Sequence, residues 1–396
     1  MKRLLVIAAG ILQIPVIKKA RSMGYYVIAA DGNPLAPGLR FANKSIVLDI
    51  TSESQMLDLA RKYEINGVIH PCSEVSMSVM GRINEALHLR GINYATAICS
   101  TNKYLMRQSF EASGAPSPQS FCTDREDEGW KLFELLNGRV ILKPSRNSGS
   151  RGIAEIQPGT DREIFAALFD RAKQESRDSS VMVEQFVEGP EFSVEIIVWN
   201  GVINVLQVTD KKTTEAPFFV ELGHNQPSLF PAEVVECVKD AAVRGVRALG
   251  LNDCAAHAEV KVQDGVPYLM EIGARLGGDF ISTELTHLSS GIDMVAAAID
   301  VALGIEPDLT PKSVPQGVAI RYFTPKPGRV LAIENKKALR RPEVYDYDIY
   351  VKPGDVVREV KSSLDRSGHV IVTAPTAKEA IVIAEELVSS VKIITE

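Results

Sequence analysis

The chain has 396 residues, 45% of them hydrophobic and 24% charged, and a net charge of -6. That length exceeds what one core usually supports, so two or three subdomains around a cleft are expected, and the acidic balance excludes an electrostatic nucleic-acid binder. Five cysteines without any CxxC pair argue against a zinc site or a disulfide framework and fit a reducing cytoplasm, and no apolar run reaches the ~20 residues of a bilayer span.

The first elements alternate. Residues 3–9 are an apolar run that Gln13, Pro15, Lys18 and Lys19 keep from reading as a signal peptide. Helical spacing over 14–22 and a second apolar run over 25–30, closed by Asp31-Gly32-Asn33-Pro34, complete a β-α-β unit. Strands at 45–48 and 67–70 flank a helix at 53–63, which predicts a parallel sheet in an α/β domain over residues 1–100. Glu74 follows a strand end, where ligands of such sheets bind. A dinucleotide fold is set aside, because the loop after the first strand has Gly10 where the fingerprint wants three glycines.

From Asn102 the texture changes to a helix carrying Lys103 and Arg107, a Gly114-Ala115-Pro116 break, and strands near 140–143 and 153–156. The expected core spans 101–310, with a small lobe at about 115–188 and a hydrophobic helix at 294–303. The tail, 311–396, shows strands at 317–323 and 370–373 and an amphipathic helix at 377–388, and is read as the rest of a large lobe.

Three stretches carry chemistry. In the first, Val140-Ile141-Leu142-Lys143 ends in a lysine and runs into the small-residue loop 145–152, whose backbone N–H groups suit phosphate oxygens; a plain exposed hairpin is the alternative. In the second, Glu184 to Val187 can present backbone groups to an adenine edge while Glu191 accepts from ribose hydroxyls; a solvated acidic strand pair is the alternative. The third places Glu259 and Glu271 on two strands joined by Asp264-Gly265. Two carboxylates in an apolar sheet repel unless a cation lies between them, and Mg²⁺ fits that need, with Arg275 steadying a transferring phosphoryl group. Both glutamates share a face only if the register is even, which predicts a three-residue loop, Gln263-Asp264-Gly265, closed by Val262 and Val266, with His257 opposite Glu271. His257 itself reads as a packing residue beside the metal, since Mg²⁺ prefers oxygen.

These three stretches, in this order, resemble the ATP-grasp superfamily over essentially the whole chain. The resemblance implies an ATP-grasp fold, α/β and α+β in class, with an N-terminal parallel-sheet (pre-ATP-grasp) domain. It implies that Lys103 and Lys143 contact ATP phosphates and that Ser148, Gly149 and Ser150 lie in the loop covering them. Glu184, Val187 and Glu191 would hold adenosine, and Glu259 and Glu271 would ligate two Mg²⁺ ions, with Mn²⁺ as the substitute. One departure is Gly273, where many members have an asparagine metal ligand, so water would complete one metal.

Within the superfamily, Glu271-Ile272-Gly273-Ala274-Arg275-Leu276-Gly277-Gly278-Asp279 and the segment 209–227 look most like the L-amino-acid ligases and carbamoyl-phosphate-synthase-like proteins. That likeness implies a substrate site of Glu74, Lys211, His224, Arg275, Gly277 and Gly278, with Glu74 holding an amino group and His224 bordering the acceptor pocket. The expected activity is ATP-dependent amide formation between a carboxylate and an amine, both small molecules, through an acyl phosphate, releasing ADP and phosphate. A homodimer with no nucleic-acid or membrane partner is expected. Two rivals stay open. A purine-pathway enzyme needs a phosphate cluster in the N-terminal domain, where only Arg40 and Lys44 offer themselves, and a non-catalytic nucleotide sensor has no need of Arg275.

Overall fold

The computed structural model describes residues 1–147, 152–216 and 218–396. The first domain is a parallel sheet ordered Lys44–Val47, Tyr26–Asp31, Arg3–Ile7, Gly67–Ile69. Its strands Arg3–Ile7, Tyr26–Asp31 and Gly67–Ile69 read as apolar runs because helices cover both faces, while the edge strand Lys44–Val47 is largely exposed. The Ala9 N–H after the first strand donates to the Asp31 carboxylate at 2.7 Å, so a protein acid holds the group a dinucleotide phosphate would need.

The small lobe is a four-stranded antiparallel sheet ordered Ser120–Thr123, Val181–Gln185, Val140–Pro144, Ala154–Ile156. Two helices, Glu126–Leu136 and Arg162–Glu175, cover one face and build a separate aromatic core in which Trp130 meets Phe165 edge-on at 5.3 Å.

The large lobe is built on an eight-stranded sheet. Its order runs Val266–Gly273, Cys254–Gln263, Glu191–Trp199, Val202–Thr213, Glu221–Gln226, Gly317–Tyr322, Gly368–Ala374, Val344–Ile349. Three strands of the tail therefore continue the sheet that carries the paired glutamates. One buried apolar cluster contains Leu5 and Ile28 of the first domain together with Phe192, Val194 and Ile272 of this sheet. That shared core fixes the loop bearing Glu74 against the large lobe. Among the described residues no helix is long and apolar enough to cross a membrane.

The hairpin at Asp264-Gly265 corrects the expected register. Gln263 pairs with Val266, so the loop has two residues, both at positive φ (52° and 79°), as a primed hairpin turn requires. An extra residue, Met270, then bulges between the Val260–Leu269 and Glu259–Glu271 pairs. The cause is core packing. Leu269 and Ile272 both bury against Gly245 of the helix Ala232–Ala248, and residues three apart reach one face only across a bulge. Glu271 thus stands directly opposite Glu259, while His257 faces Gly273 and not Glu271. The shared face survives by a different route from the one expected.

Candidate active site between the lobes

The helix Lys103–Ser113 organises the site. Asn102 caps it by accepting from the N–H groups of Tyr104 and Leu105, and Gly114 ends it at φ 68°. Lys103 and Arg107, four apart, lie on one face of it. The Lys103 ammonium donates to the Asn147 carbonyl at 2.8 Å and sits 3.1 Å from Glu271. Arg107 donates to Glu184 at 2.8 Å and to the Met270 carbonyl at 2.8 Å. One helical turn therefore links the small-lobe strand of Lys143 to the hairpin of the paired glutamates.

Around Glu184, two cations face one carboxylate. Lys143 lies 2.5 Å away, Arg107 holds the other oxygen, and Ser120 adds a third donor at 2.7 Å. Burial opposes the charge on Glu184, but Arg107 and Lys143 outweigh it and hold the carboxyl down at about 2. Burial, reinforced by Arg107 and Lys103, pulls Lys143 down to about 8 despite its partner. The Glu184 side chain is fully buried and engaged by these donors, so it anchors Lys143. Val187 is buried and Glu191 pairs with Lys211. Ser148, Gly149 and Ser150 fall outside the described residues.

Around Glu259 and Glu271 the balance reverses. Lys211 sits among Glu191, Glu221 at 3.8 Å and Glu259 at 3.1 Å, while Lys103 approaches Glu271. His257 brings its own counter-charge, Glu195, and also helps to lower Glu259. Its Nδ1 bonds Glu195, and that carboxylate raises it to about 9 against the opposing effect of burial, leaving Nε2 3.6 Å from Glu259. Burial works against Glu271, Lys103 lowers it, and Glu259 pushes back. The acidic groups outnumber the cations here, and oxygen donors dominate, which suits divalent cations such as Mg²⁺. Gly273 belongs to the same design, since a Cβ there would stand 3.0 Å from the Arg275 guanidinium, so a larger side chain would crowd it.

Glu74 and Arg275, 201 positions apart, pair at 2.8 Å. Burial, then Glu271, raises the Glu74 carboxyl. The Glu74 loop is held by His70, whose Nδ1 faces the Ile7 carbonyl at 3.0 Å and whose Nε2 accepts from the Ser76 N–H at 3.2 Å. Burial lowers His70 to about 4, so the ring is neutral and bonds in both directions. His224 is buried, with Nε2 3.2 Å from Asp279, which Arg366 grips through both oxygens at 2.6 and 2.8 Å.

Comparison with known proteins gives this arrangement its family. Residues 136–284 match the ATP-grasp domain, and residues 321–396 match the L-amino acid ligase C-terminal domain 2. The chain carries an ATP-grasp domain. Dapdiamide A synthase of Enterobacter agglomerans is 24% identical over 353 residues, spanning 83% of this chain and 80% of that protein. The crystal structure of an L-amino acid ligase from Bacillus licheniformis superposes with a TM-score of 0.84 at 21% identity, covering 100% of this chain and 99% of that one. Phosphoribosylglycinamide synthetase from Anaerococcus prevotii gives 0.80 at 23% identity and full coverage of both chains. These two structures speak for the ATP-grasp fold alone.

Within that fold the structure brings together Lys103, Lys143, Glu184, Glu259, Glu271, Arg275 and Glu74. Lys211, expected at the substrate, is buried among carboxylates, and His224 stands behind Asp279. Sequence reasoning missed Glu195, Ser282 and Arg366. Ser282 donates to Glu195 and accepts from the Gly277 N–H at 2.6 Å, and a Cβ on Gly277 would meet His257 Nδ1 at 2.5 Å. The one sequence signal for Glu195 was an acid in the buried centre of the strand Glu191–Trp199, where an unpaired carboxylate is costly.

Proposed function

We propose that this protein is an ADP-forming ligase that uses ATP and Mg²⁺ to join the carboxylate of an amino acid to the amine of a second substrate. The observation that carries the reading is the pair of oppositely unbalanced clusters joined by one helical turn, cationic at Lys143 and anionic at Glu259–Glu271. A polyphosphate fits the first and its divalent counter-ions fit the second. Lys143 and Lys103 hold the phosphates, and Glu259 and Glu271 hold the ions, two in number, replaceable by Mn²⁺. Bound there, Mg²⁺ would neutralise charge on the transferring phosphoryl group.

A donor carboxylate oxygen forms a bond to the γ-phosphorus as the bond to the β-bridging oxygen breaks, and ADP departs. The amine nitrogen then bonds the acyl carbon, phosphate leaves with the carbon–oxygen electron pair, and the nitrogen releases a proton. Arg275 steadies negative charge at the acyl centre, and Glu74 holds the donor's amino group. Positioning supplies much of the rate, as for phosphoryl transfer in general. Arg40 and Lys44 are exposed, with Arg40 stacked on Phe41, so they make no enclosed phosphate site of the kind a phosphoribosyl substrate needs.

Phosphate release over paired carboxylates and amines tests the reading. Release should require Mg²⁺ and a carboxylate together and rise with the amine; steady ATP hydrolysis indifferent to every carboxylate would overturn it. Sedimentation tests the homodimer that belongs to the same proposal.

A further inference from the structure

A cavity of about 390 Å³ opens beside the acyl centre, within the range of pockets that enclose small ligands. Two of its lining residues tie it to the reacting groups by chain geometry. Cys72 lies two positions before Glu74, Gly277 lies two positions after Arg275, and the Cys72 thiol donates to the Gly277 carbonyl at 3.2 Å. An amino acid bound by its amino group at Glu74 and its carboxylate at Arg275 has one remaining substituent. That substituent would enter this cavity.

The walls decide its chemistry. Ile11, Leu12, Pro15, Phe280 and Leu364 supply apolar surface. Ile11 and Leu364 are 70% and 94% exposed, which leaves apolar area at the rim for a ligand to cover. The two charges in the lining, Asp279 and Arg366, hold each other through two hydrogen bonds, and the guanidinium is further capped by the Tyr322 ring at 3.7 Å. A charged side chain entering here would have to break that pair, leaving one buried charge uncompensated. A neutral, bulky one would not.

Resting on the ligase reading, we propose that this cavity is the side-chain pocket of the carboxylate donor and selects large, uncharged, mainly apolar amino acids such as phenylalanine, leucine or methionine. The Asp279–Arg366 pair closes its wall and excludes charged donors. The strand-to-tail contact also explains why the C-terminal segment belongs to the site, since Arg366 and Leu364 both come from it.

Binding and turnover together test this. Calorimetric titration of L-phenylalanine, glycine, L-aspartate and L-lysine onto the protein with Mg²⁺ and a non-hydrolysable ATP analogue reads the pocket whether or not ligation follows. L-Phenylalanine should bind at least about tenfold tighter than the other three, the order of discrimination an apolar pocket gives. Equal binding of all four would overturn the pocket. With L-alanine as partner, mass spectrometry should find phenylalanine at the N-terminal position of the dipeptide, and its appearance at the C-terminal position would overturn the donor assignment. Thr283→Trp, which fills the cavity, should weaken phenylalanine binding at least about tenfold relative to glycine. Leu364→Asp, on the exposed rim, should do the same without burying any bulk. Unchanged selectivity in both variants would sink the proposal. Failure of every carboxylate to support phosphate release, with phenylalanine still selectively bound, would instead break the ligase reading and leave the pocket standing.

Discussion

The two charged clusters of the cleft are built from the same residue types and behave in opposite ways. At Glu184 two cations and a hydroxyl surround one carboxylate, and the surplus is positive. At Glu259 and Glu271 the acids outnumber Lys103 and Lys211, and the surplus is negative. Lysine beside glutamate thus says little by itself. The local ratio decides which ligand completes each cluster, because an unbalanced buried charge is costly until a counter-charge arrives.

The comparison breaks most visibly at Glu271. Glu271→Gln removes a negative charge at nearly constant volume, and ligation should fall about 10³-fold, the scale of losing one electrostatic contact to developing charge. Phosphate release alongside a thermal melt checks this, and retention of more than about a tenth of the activity would detach the pair from the metals.

Lys143→Ala strips the positive surplus instead. ATP affinity should drop roughly 10- to 100-fold, from the loss of one charge-assisted hydrogen bond, while the Mg²⁺ concentration for half-maximal activity stays put. Nucleotide titration separates the two effects.

A pH profile sharpens the contrast. Lys143 titrates at about 8, and its protonated form is the phosphate ligand, so ATP binding should weaken as pH rises through that value. In Lys143→Arg the inflection should vanish, because a guanidinium stays charged. Stability of the ligand-free protein carries the opposite sign. The unfolded lysine keeps its proton up to about 10.5, so between these values the unfolded state binds more protons and stability rises with pH.

The smallest effect is expected at His224, which touches neither cluster. His224→Ala should alter donor selectivity by about five- to tenfold through loss of its bond to Asp279 in the pocket wall, with ATP affinity nearly intact. Equal loss of ATP binding would separate it from the substrate pocket.

What the sequence determined by itself were features that act over a few residues. The alternation of strands and helices in the first domain, the position of the turn at Asp264-Gly265 though not its two-residue length, the lysine at the end of the strand Val140–Pro144 and the two acids on facing strands all follow from local periodicity and turn chemistry. Only the tertiary structure decided the Met270 bulge, because the helix Ala232–Ala248 required both Leu269 and Ile272 on its face. It likewise decided that Glu184 anchors a lysine, that Glu74 meets Arg275, and that Arg366 closes a wall at Asp279. Backbone preferences reach one turn along the chain, whereas a buried charge answers to whatever the fold carries beside it, here from 41 to 201 positions away.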